Sequence, residues 1–167
     1  MGILSSRLDS MRIRASVGGG NIVGELRDRT NVHLSFASGS YRRYNEWELE
    51  RQLANLARLL WAGRMKEYYV AVSEAFGESI TREPGPVSPR DTDYFSARDE
   101  LVAEGRSVDD RIYLAVRGMQ TWTVHIADGT VRTLDEYEFA TQVREAAAEL
   151  IRDQFRKIRA LKDRYYG

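Results

Sequence analysis

Two long segments of the chain carry apolar residues three or four positions apart, which is the spacing of an amphipathic α-helix. The apolar positions are Leu49, Leu53, Leu56 and Leu60 in the first segment, and Phe139, Val143, Ala146 and Leu150 in the second. The pattern predicts one helix that runs to about Phe76 and another that runs to about Tyr166. At 1.5 Å per residue, each helix would be about 45 Å long.

Both predicted helices have the same kind of start. Asn45 and Asp135 are residue types that favour the N-cap position, and Glu48 and Glu138 follow three positions later, as in a capping box. Gly63 is expected to kink the first helix, and the second helix has no glycine at the corresponding place.

Shorter segments that alternate apolar and polar residues predict β-strands before each long helix. The predicted strands are Arg12–Val17, Ile22–Arg27 and Val32–Phe36 in the first half, and Ile112–Arg117 and Trp122–Ile126 in the second. Residues 18–20 are glycines that favour a turn; a phosphate-binding loop is the weaker interpretation, because no helix and no Lys-Ser/Thr pair follows them. A short helix is predicted ahead of each set of strands, over Ile3–Ser10 and over Tyr94–Glu104.

The two halves are related by a sequence repeat with an offset of 90 residues. Residues 22–77 align with residues 112–167 without a gap and are identical at 11 positions, among them Leu60 with Leu150. The first copy would span residues 1–77 and the second residues 91–167, joined by a linker, residues 78–90, that contains all three prolines. About 75 residues is near the lower limit for a self-sufficient core, so we expect the copies to bury their apolar faces against each other.

The composition excludes several classes of site and partner. With 25 acidic and 25 basic residues, the chain has no net charge that would attract DNA or an anionic membrane. The absence of cysteine excludes disulfides, thiolate metal sites and cysteine nucleophiles. No apolar stretch reaches the roughly 18 residues of a membrane span. We expect a cytoplasmic protein without a membrane-spanning segment.

Residues that could carry catalysis are few. His33 and His125 are the only histidines, and neither has further metal ligands at a suitable spacing. The glutamates at the two helix starts are explained by capping and by the helix dipole. No nucleophile motif occurs. We therefore expect no enzyme activity, no cofactor, no metal and no small-molecule substrate.

The distal halves of the long helices extend beyond what a small sheet can cover. We expect them to pack on each other or on a partner, and their aromatic and methionine side chains are the candidates for a protein-binding surface. These candidates are Trp61, Met65, Tyr68, Tyr69, Phe76, Phe155, Tyr165 and Tyr166.

The last helix also carries a local excess of positive charge. The basic residues are Arg152, Arg156, Lys157, Arg159, Lys162 and Arg164. They are possible DNA contacts, since a basic stripe on one helix face can bind phosphates. The alternative, which we favour from the sequence, is that cations near a helix C-terminus complement the helix dipole and keep a long helix soluble.

The order of a short helix, three strands and a long helix resembles the YbaB/EbfC family. The segment Ile112–Ile126, followed by the acid-capped helix Asp135–Lys162, is most similar to it, and Val32–Leu60 is also similar to YbaB-like proteins associated with type VII secretion in actinobacteria. The resemblance implies an α+β fold in which each repeat has a short helix, a three-stranded antiparallel sheet and a long helix. Members of the family form intertwined homodimers, so a fused tandem would form an intramolecular pseudo-dimer.

The family also suggests two functions. Some members bind DNA as nucleoid-associated proteins, and the secretion-associated relatives act as chaperones or adaptors. This chain departs from the family pattern after the third strand, where the usual Asp-Pro is replaced by Ser38-Gly39 and by Asp128-Gly129. The resemblance and the balanced charge favour a non-enzymatic protein-binding chaperone or adaptor that is associated with secretion; the alternative is a nucleoid-associated, largely sequence-tolerant DNA-binding protein.

Overall fold

The computed structural model describes residues 2–167, which form an α+β fold with two antiparallel three-stranded sheets and five α-helices. The elements are α1 (Ile3–Asp9), β1 (Ile13–Val17), β2 (Ile22–Arg27), β3 (Asn31–Phe36), α2 (Glu46–Phe76), α3 (Pro89–Glu100), β4 (Val102–Arg106), β5 (Ile112–Arg117), β6 (Thr121–Ile126), α4 (Thr130–Thr133) and α5 (Glu136–Tyr166). The predicted ends of both long helices, Phe76 and Tyr166, are confirmed.

The two sheets have the same strand order and the same register. The first sheet has the order β1-β2-β3 and the second has the order β4-β5-β6. Ile13 pairs with Leu26 in the first sheet, and the residues 90 positions later, Ala103 and Val116, pair in the second. Helices α2 and α5 have 31 residues each and start 90 positions apart. Residues that are 90 positions apart are called equivalent positions below.

The capping boxes at the starts of α2 and α5 are confirmed. The side chain of Asn45 accepts a hydrogen bond from the Glu48 backbone N–H, and the Glu48 carboxylate accepts one from the Asn45 N–H. Asp135 and Glu138 form the same reciprocal pair of hydrogen bonds. Two backbone N–H groups that the helix itself leaves without partners are therefore satisfied at each start.

Gly63 has a different role from the predicted one. Helix α2 runs without a break through this position. A Cβ atom at Gly63 would lie 2.7 Å from Cγ2 of Ile13, so the missing side chain lets the helix approach β1 closely. The glycine fits the packing between helix and strand, and the expected kink is absent.

The predicted helix over Tyr94–Glu104 is wrong at both ends. The helix begins earlier, because Ser88 caps it and Pro89 occupies its first turn, where a missing N–H costs no hydrogen bond. It stops at Glu100, since Leu101 has an extended backbone, and residues 102–106 form strand β4.

Strand β4 was not predicted from the sequence, because the side chains on its buried face are very small. The inward positions are Ala103 and Gly105, so the segment lacks the large apolar residues that mark a half-buried strand. A Cβ atom at Gly105 would overlap the backbone carbonyl oxygen of Ala146. Helix α5 therefore lies against the strand backbone itself.

Each long helix packs on both sheets. Helix α2 contacts β1 and β2 of its own half and β6 of the other half, while α5 contacts β4 and β5 and, across the molecule, β3. The main core combines both halves: the ring of Phe139 lies 6.1 Å from Phe36 and 5.4 Å from Tyr41, centroid to centroid. The halves thus share one apolar core.

Buried hydrogen bonds also join the halves. The Tyr41 hydroxyl donates to the backbone oxygen of Leu134 at 2.9 Å, and burial raises the pKa of Tyr41 to about 12. The Glu50 carboxylate accepts a hydrogen bond from the Ile126 N–H at 2.8 Å. Because Ile126 lies in β6, this bond ties the outer edge of that strand to α2.

The outer edge of β4 is covered by a ladder of side chains from α5. One residue per helical turn hydrogen-bonds one backbone group of the strand segment: Glu145 with the Val108 N–H, Glu149 with the Arg106 N–H, Asp153 with the Glu104 N–H, and Lys157 with the Val102 carbonyl. This edge has no free row of donors for another strand to pair with.

The equivalent edge of β1 has no such ladder. Helix α2 carries Asn55, Leu59 and Gly63 at the positions of the three carboxylates. Within residues 2–167, no group hydrogen-bonds the backbone N–H of Arg14 or of Ser16, which are equivalent to Glu104 and Arg106. The first sheet therefore keeps an open edge.

Candidate functional site

The distal halves of α2 and α5 were expected to pack on each other or on a partner. In the structure they do not pack on each other. Helix α1 packs on α2, where Arg7 forms an ion pair with Glu74. Helix α3 packs on α5, where the ring of the buried Tyr94 lies 5.3 Å from that of Tyr166. The short helices, which belong to the same halves, pack where the opposite long helix was expected.

A cavity of about 870 Å³ lies between α2 and α5. Its walls run along α2 from Leu53 to Val72 and along α5 from Val143 to Lys162, which is about 28 Å of helix at 1.5 Å per residue. Residues of the β-strands, of the β2–β3 and β5–β6 turns, of α1 and α3, and of the connection between α2 and α3 also line it, among them Glu83, Arg98 and Asp99. Most of the wall is apolar, so the cavity is elongated and largely hydrophobic.

Five of the predicted partner-binding residues line this cavity. They are Trp61, Met65, Tyr68, Tyr69 and Phe155. All but Phe155 are half-buried and none is fully exposed. These side chains therefore face an internal space between the helices more than an outer protein surface.

The other three candidates lie at the ends of the long helices. Phe76, the last residue of α2, is 67% exposed, and the equivalent Tyr166 of α5 is 46% exposed. Tyr165 is half-buried beside Tyr94, with 6.2 Å between ring centroids. The Tyr166 hydroxyl donates a hydrogen bond to Asp91 at 2.5 Å, and this bond raises the pKa of Tyr166 to about 12.

Arg64 is a half-buried residue of the cavity wall whose positive charge no carboxylate of the described chain neutralises. It is half-buried, and within residues 2–167 no carboxylate forms an ion pair with it. Its guanidinium lies over the ring of Trp61, with Cζ 5.6 Å from the centroid. Burial lowers the pKa of Arg64, and the positive charge of Arg29 lowers it further.

Arg29 contributes a second cation to the same wall. It lies in the β2–β3 turn, forms an ion pair with Asp9 at 3.1 Å, and places Cζ 5.1 Å from the centre of the Phe155 ring. Its backbone has φ of 70°, a left-handed conformation that non-glycine residues adopt rarely.

Two other buried polar atoms at the cavity lack partners. Within the described chain, the indole Nε1 of Trp122 and the side-chain oxygen of Gln154 are buried and form no hydrogen bond. A buried polar group without a partner costs about 1–3 kcal/mol. The cavity therefore offers both donors and an acceptor to whatever fills it.

This site was not predicted from the sequence, although one feature of the sequence pointed to it. Arg64 follows Leu60 by four positions and Ala57 by seven, so it lies on the apolar face of the predicted helix. The equivalent Gln154 interrupts the apolar face of α5 in the same way. Polar residues within an apolar stripe were the available indication.

The predicted basic stripe of α5 is divided in the structure. Asp153 holds two of its members, at 2.7 Å from Arg156 and at 2.9 Å from Lys157. The other members are exposed: Lys162 lines the cavity, Arg164 lies over the ring of Tyr165, and Arg152 and Arg159 have no ion pair within residues 2–167.

Two exposed aromatic residues were not among the predicted sites. Trp47 is 61% exposed and the equivalent Tyr137 is 77% exposed, each in the first turn of a long helix. Neither contributes to the core. Arg51 stacks on Trp47, with Cζ 4.8 Å from the ring.

Residues 2–167 contain no helix that is long and apolar enough to cross a membrane. The same residues contain no group of three or more His, Cys, Asp or Glu side chains placed to hold a metal ion.

No family model matches the chain, and no curated protein or solved structure matches it significantly. The family resemblance therefore stays a prediction.

Proposed function

We propose that the chain is a tandem of two YbaB-like units that form an intramolecular pseudo-dimer, and that it binds a protein partner in the cytoplasm as a non-enzymatic chaperone or adaptor associated with secretion. The pseudo-dimer is supported by the common register of the two sheets and by the reciprocal packing, in which α2 covers β6 and α5 covers β3.

Protein binding is supported by aromatic residues that are exposed at equivalent positions. Phe76 and Tyr166 end the two long helices, and Trp47 and Tyr137 stand in their first turns. Large aromatic side chains outside the core are typical of interaction surfaces, where they contribute most of the binding energy. This repeated exposure at helix ends is the observation that carries the proposal.

A comparative pull-down tests the proposal. The wild-type chain, a Phe76→Ser/Tyr166→Ser variant and a Trp47→Ser/Tyr137→Ser variant are immobilised and exposed to cytosol of the source organism. We expect a discrete protein to be retained by the wild type and to be lost with one of the two pairs. Equal retention by the wild type and both variants, or none above the bare support, would contradict it.

DNA binding is the second candidate, and the exposed Arg152 and Arg159 favour it because they lack ion-pair partners within the described chain. A gel shift with duplex DNA at about 50 mM salt tests it, since electrostatic affinity is high at low salt. Retarded DNA that is released by Arg152→Gln/Arg159→Gln would support this function; unretarded DNA would exclude it.

A further inference from the structure

The charged residues that line the cavity between α2 and α5 differ between the two halves of the chain, although the backbone around the cavity is similar in both. Equivalent positions line it from both halves, so its framework is nearly two-fold symmetric. The first half contributes Arg29 and Arg64 where the second contributes Met119 and Gln154, and the second contributes Arg98 and Lys162 where the first has Leu8 and Val72. Arg98 forms an ion pair with Glu83 and Lys162 is exposed, whereas Arg64 is half-buried.

The guanidinium groups of Arg29 and Arg64 leave positive charge without full compensation. Arg29 shares its charge with Asp9, but Arg64 has no carboxylate partner within residues 2–167 and lies within range of the repulsion from Arg29. A half-buried cation is costly unless an anion neutralises it. An anionic group on the cavity side of Arg64 would remove this cost.

Trp122 adds a donor to the cavity wall. It lies in β6 and packs on the buried cluster of Ala103, Val116 and Leu150. Its buried Nε1–H has no acceptor in the described chain. The wall therefore holds an unused hydrogen-bond donor besides the Arg64 guanidinium.

We propose that this cavity binds a single-chain amphiphilic carboxylate, of the fatty-acid type, with its chain along the apolar walls and its carboxylate on the Arg64 guanidinium. Planar guanidinium and carboxylate groups match in geometry and form strong charge-assisted hydrogen bonds.

The dimensions of the cavity suit such a ligand. Its volume of about 870 Å³ falls within the range of about 300–1,000 Å³ that small-molecule sites have. Its length follows five turns of each helix, and its walls include the side chains of Leu53, Leu60, Trp61 and Ile151. An elongated, largely apolar space with a half-buried cation in its wall that has no ion pair within residues 2–167 fits a molecule with one charged end.

The test measures binding of two probes that differ only at the head. Hexadecanoate and hexadecan-1-ol are titrated below their aggregation limits into the full chain with Trp47→Phe, so that only Trp61 and Trp122 fluoresce, both of which line the cavity. We expect saturable binding of one hexadecanoate per chain, with an affinity at least about tenfold higher than that of the alcohol.

Arg64→Gln introduces the residue type of the equivalent position 154. We expect it to weaken hexadecanoate binding about tenfold to a hundredfold, the worth of a charge-assisted pair, and to leave the alcohol unaffected. Arg152→Gln, an exposed arginine outside the cavity, is the matched control and should change neither affinity. Because Arg64→Gln removes an uncompensated charge, the variant should melt no lower than the wild type.

Three outcomes would overturn the proposal: no saturable binding of either probe, equal affinity for both probes in the wild type, or hexadecanoate binding that Arg64→Gln leaves unchanged. Partner retention is tested separately with variants at the helix ends, none of which lines the cavity. The two proposals can therefore fail independently.

Discussion

At the scale of single residues, glycine decides how closely a long helix approaches its first strand. In the second half the glycine is in the strand, at Gly105, whereas in the first half it is in the helix, at Gly63. The equivalents of these glycines are Ala15 and Asp153, so the two halves reach close packing by different substitutions. A chain that needs one small residue per crossing can place it on either element.

Gly105→Ala should be strongly destabilising, because its Cβ would overlap the backbone oxygen of Ala146 and lie 2.5 Å from the Leu150 nitrogen. Backbone atoms cannot move out of the way as the end of a side chain can, so we expect a loss of about 3 kcal/mol, the upper end of the usual cost of overpacking, in the free energy of unfolding. Urea denaturation measures it. Gly85→Ala, with no atom within 4 Å, is the control and should change little.

At the same scale, the sequence could reveal the importance of some residues and not of others. The N-caps Asn45 and Asp135 were predictable because capping depends on local chemistry within four residues. Arg64 was visible only as an interruption of an apolar stripe. The orphaned Nε1 of Trp122 was not predictable, since hydrogen bonding of a buried atom depends on distant elements.

At the scale of elements, side chains of a helix can hydrogen-bond the backbone groups that strand pairing leaves free at the edge of a sheet. Glu149 and Asp153 accept hydrogen bonds from outer N–H groups of β4, Glu145 accepts one from the Val108 N–H just after the strand, and Lys157 donates to the Val102 carbonyl. Burial acts to raise the pKa of Asp153, but the hydrogen bonds from Lys157 and from the Glu104 N–H outweigh it, so that the pKa lies below its ordinary value.

Asp153→Asn should therefore make stability less dependent on pH. A carboxyl group whose pKa is lowered by folding stabilises the fold above its unfolded pKa of about 3.9, and this contribution is lost as the pH falls through the lower folded value. We expect the variant to be less stable by about 1–3 kcal/mol at pH 7 and the difference to shrink below pH of about 4. Parallel curves of unfolding free energy against pH would refute this.

The capping boxes allow a matched comparison between two similar helices. Asn45→Ala and Asp135→Ala should each cost about 1 kcal/mol, because each leaves the N–H of Glu48 or Glu138 without its partner. For a chain of this size we expect the melting temperature to fall by about 2–4 °C. Asn31→Ala removes an exposed asparagine outside any helix cap and is the control.

At this scale, prediction from the sequence succeeded for elements whose own residues determine where they begin and end. The long helices carry their own period and caps, so their ends were predicted correctly. Strand β4 is specified by α5, which needs Ala103 and Gly105 as a flat surface, and its own pattern does not show it. The cavity was likewise unpredictable, because it depends on where α1 and α3 leave the distal helices uncovered.

At the scale of the whole molecule, neither half has a complete core of its own. Helix α2 covers β6, α5 covers β3, and Phe139 of the second half packs between Phe36 and Tyr41 of the first. The connection through residues 78–88 has no regular secondary structure. The union of the halves therefore completes the core that each half alone leaves open.

Fragments 1–85 and 86–167 should consequently be unfolded or self-associated when alone and should assemble when mixed. Burial of the shared apolar core drives the assembly. Circular dichroism and size exclusion would show a gain of helix and a one-to-one complex. A native-like thermal transition in either isolated fragment at micromolar concentration would show that the shared core is dispensable.

The open edge at β1 gives copies of this chain a place to pair with each other. Within residues 2–167 the backbone N–H groups of Arg14 and Ser16 have no hydrogen bond, whereas α5 side chains occupy the equivalent edge of β4. An antiparallel β1–β1 pair between two molecules would use the open edge of both. Growth through this edge would therefore stop at a dimer and would not continue into a fibril.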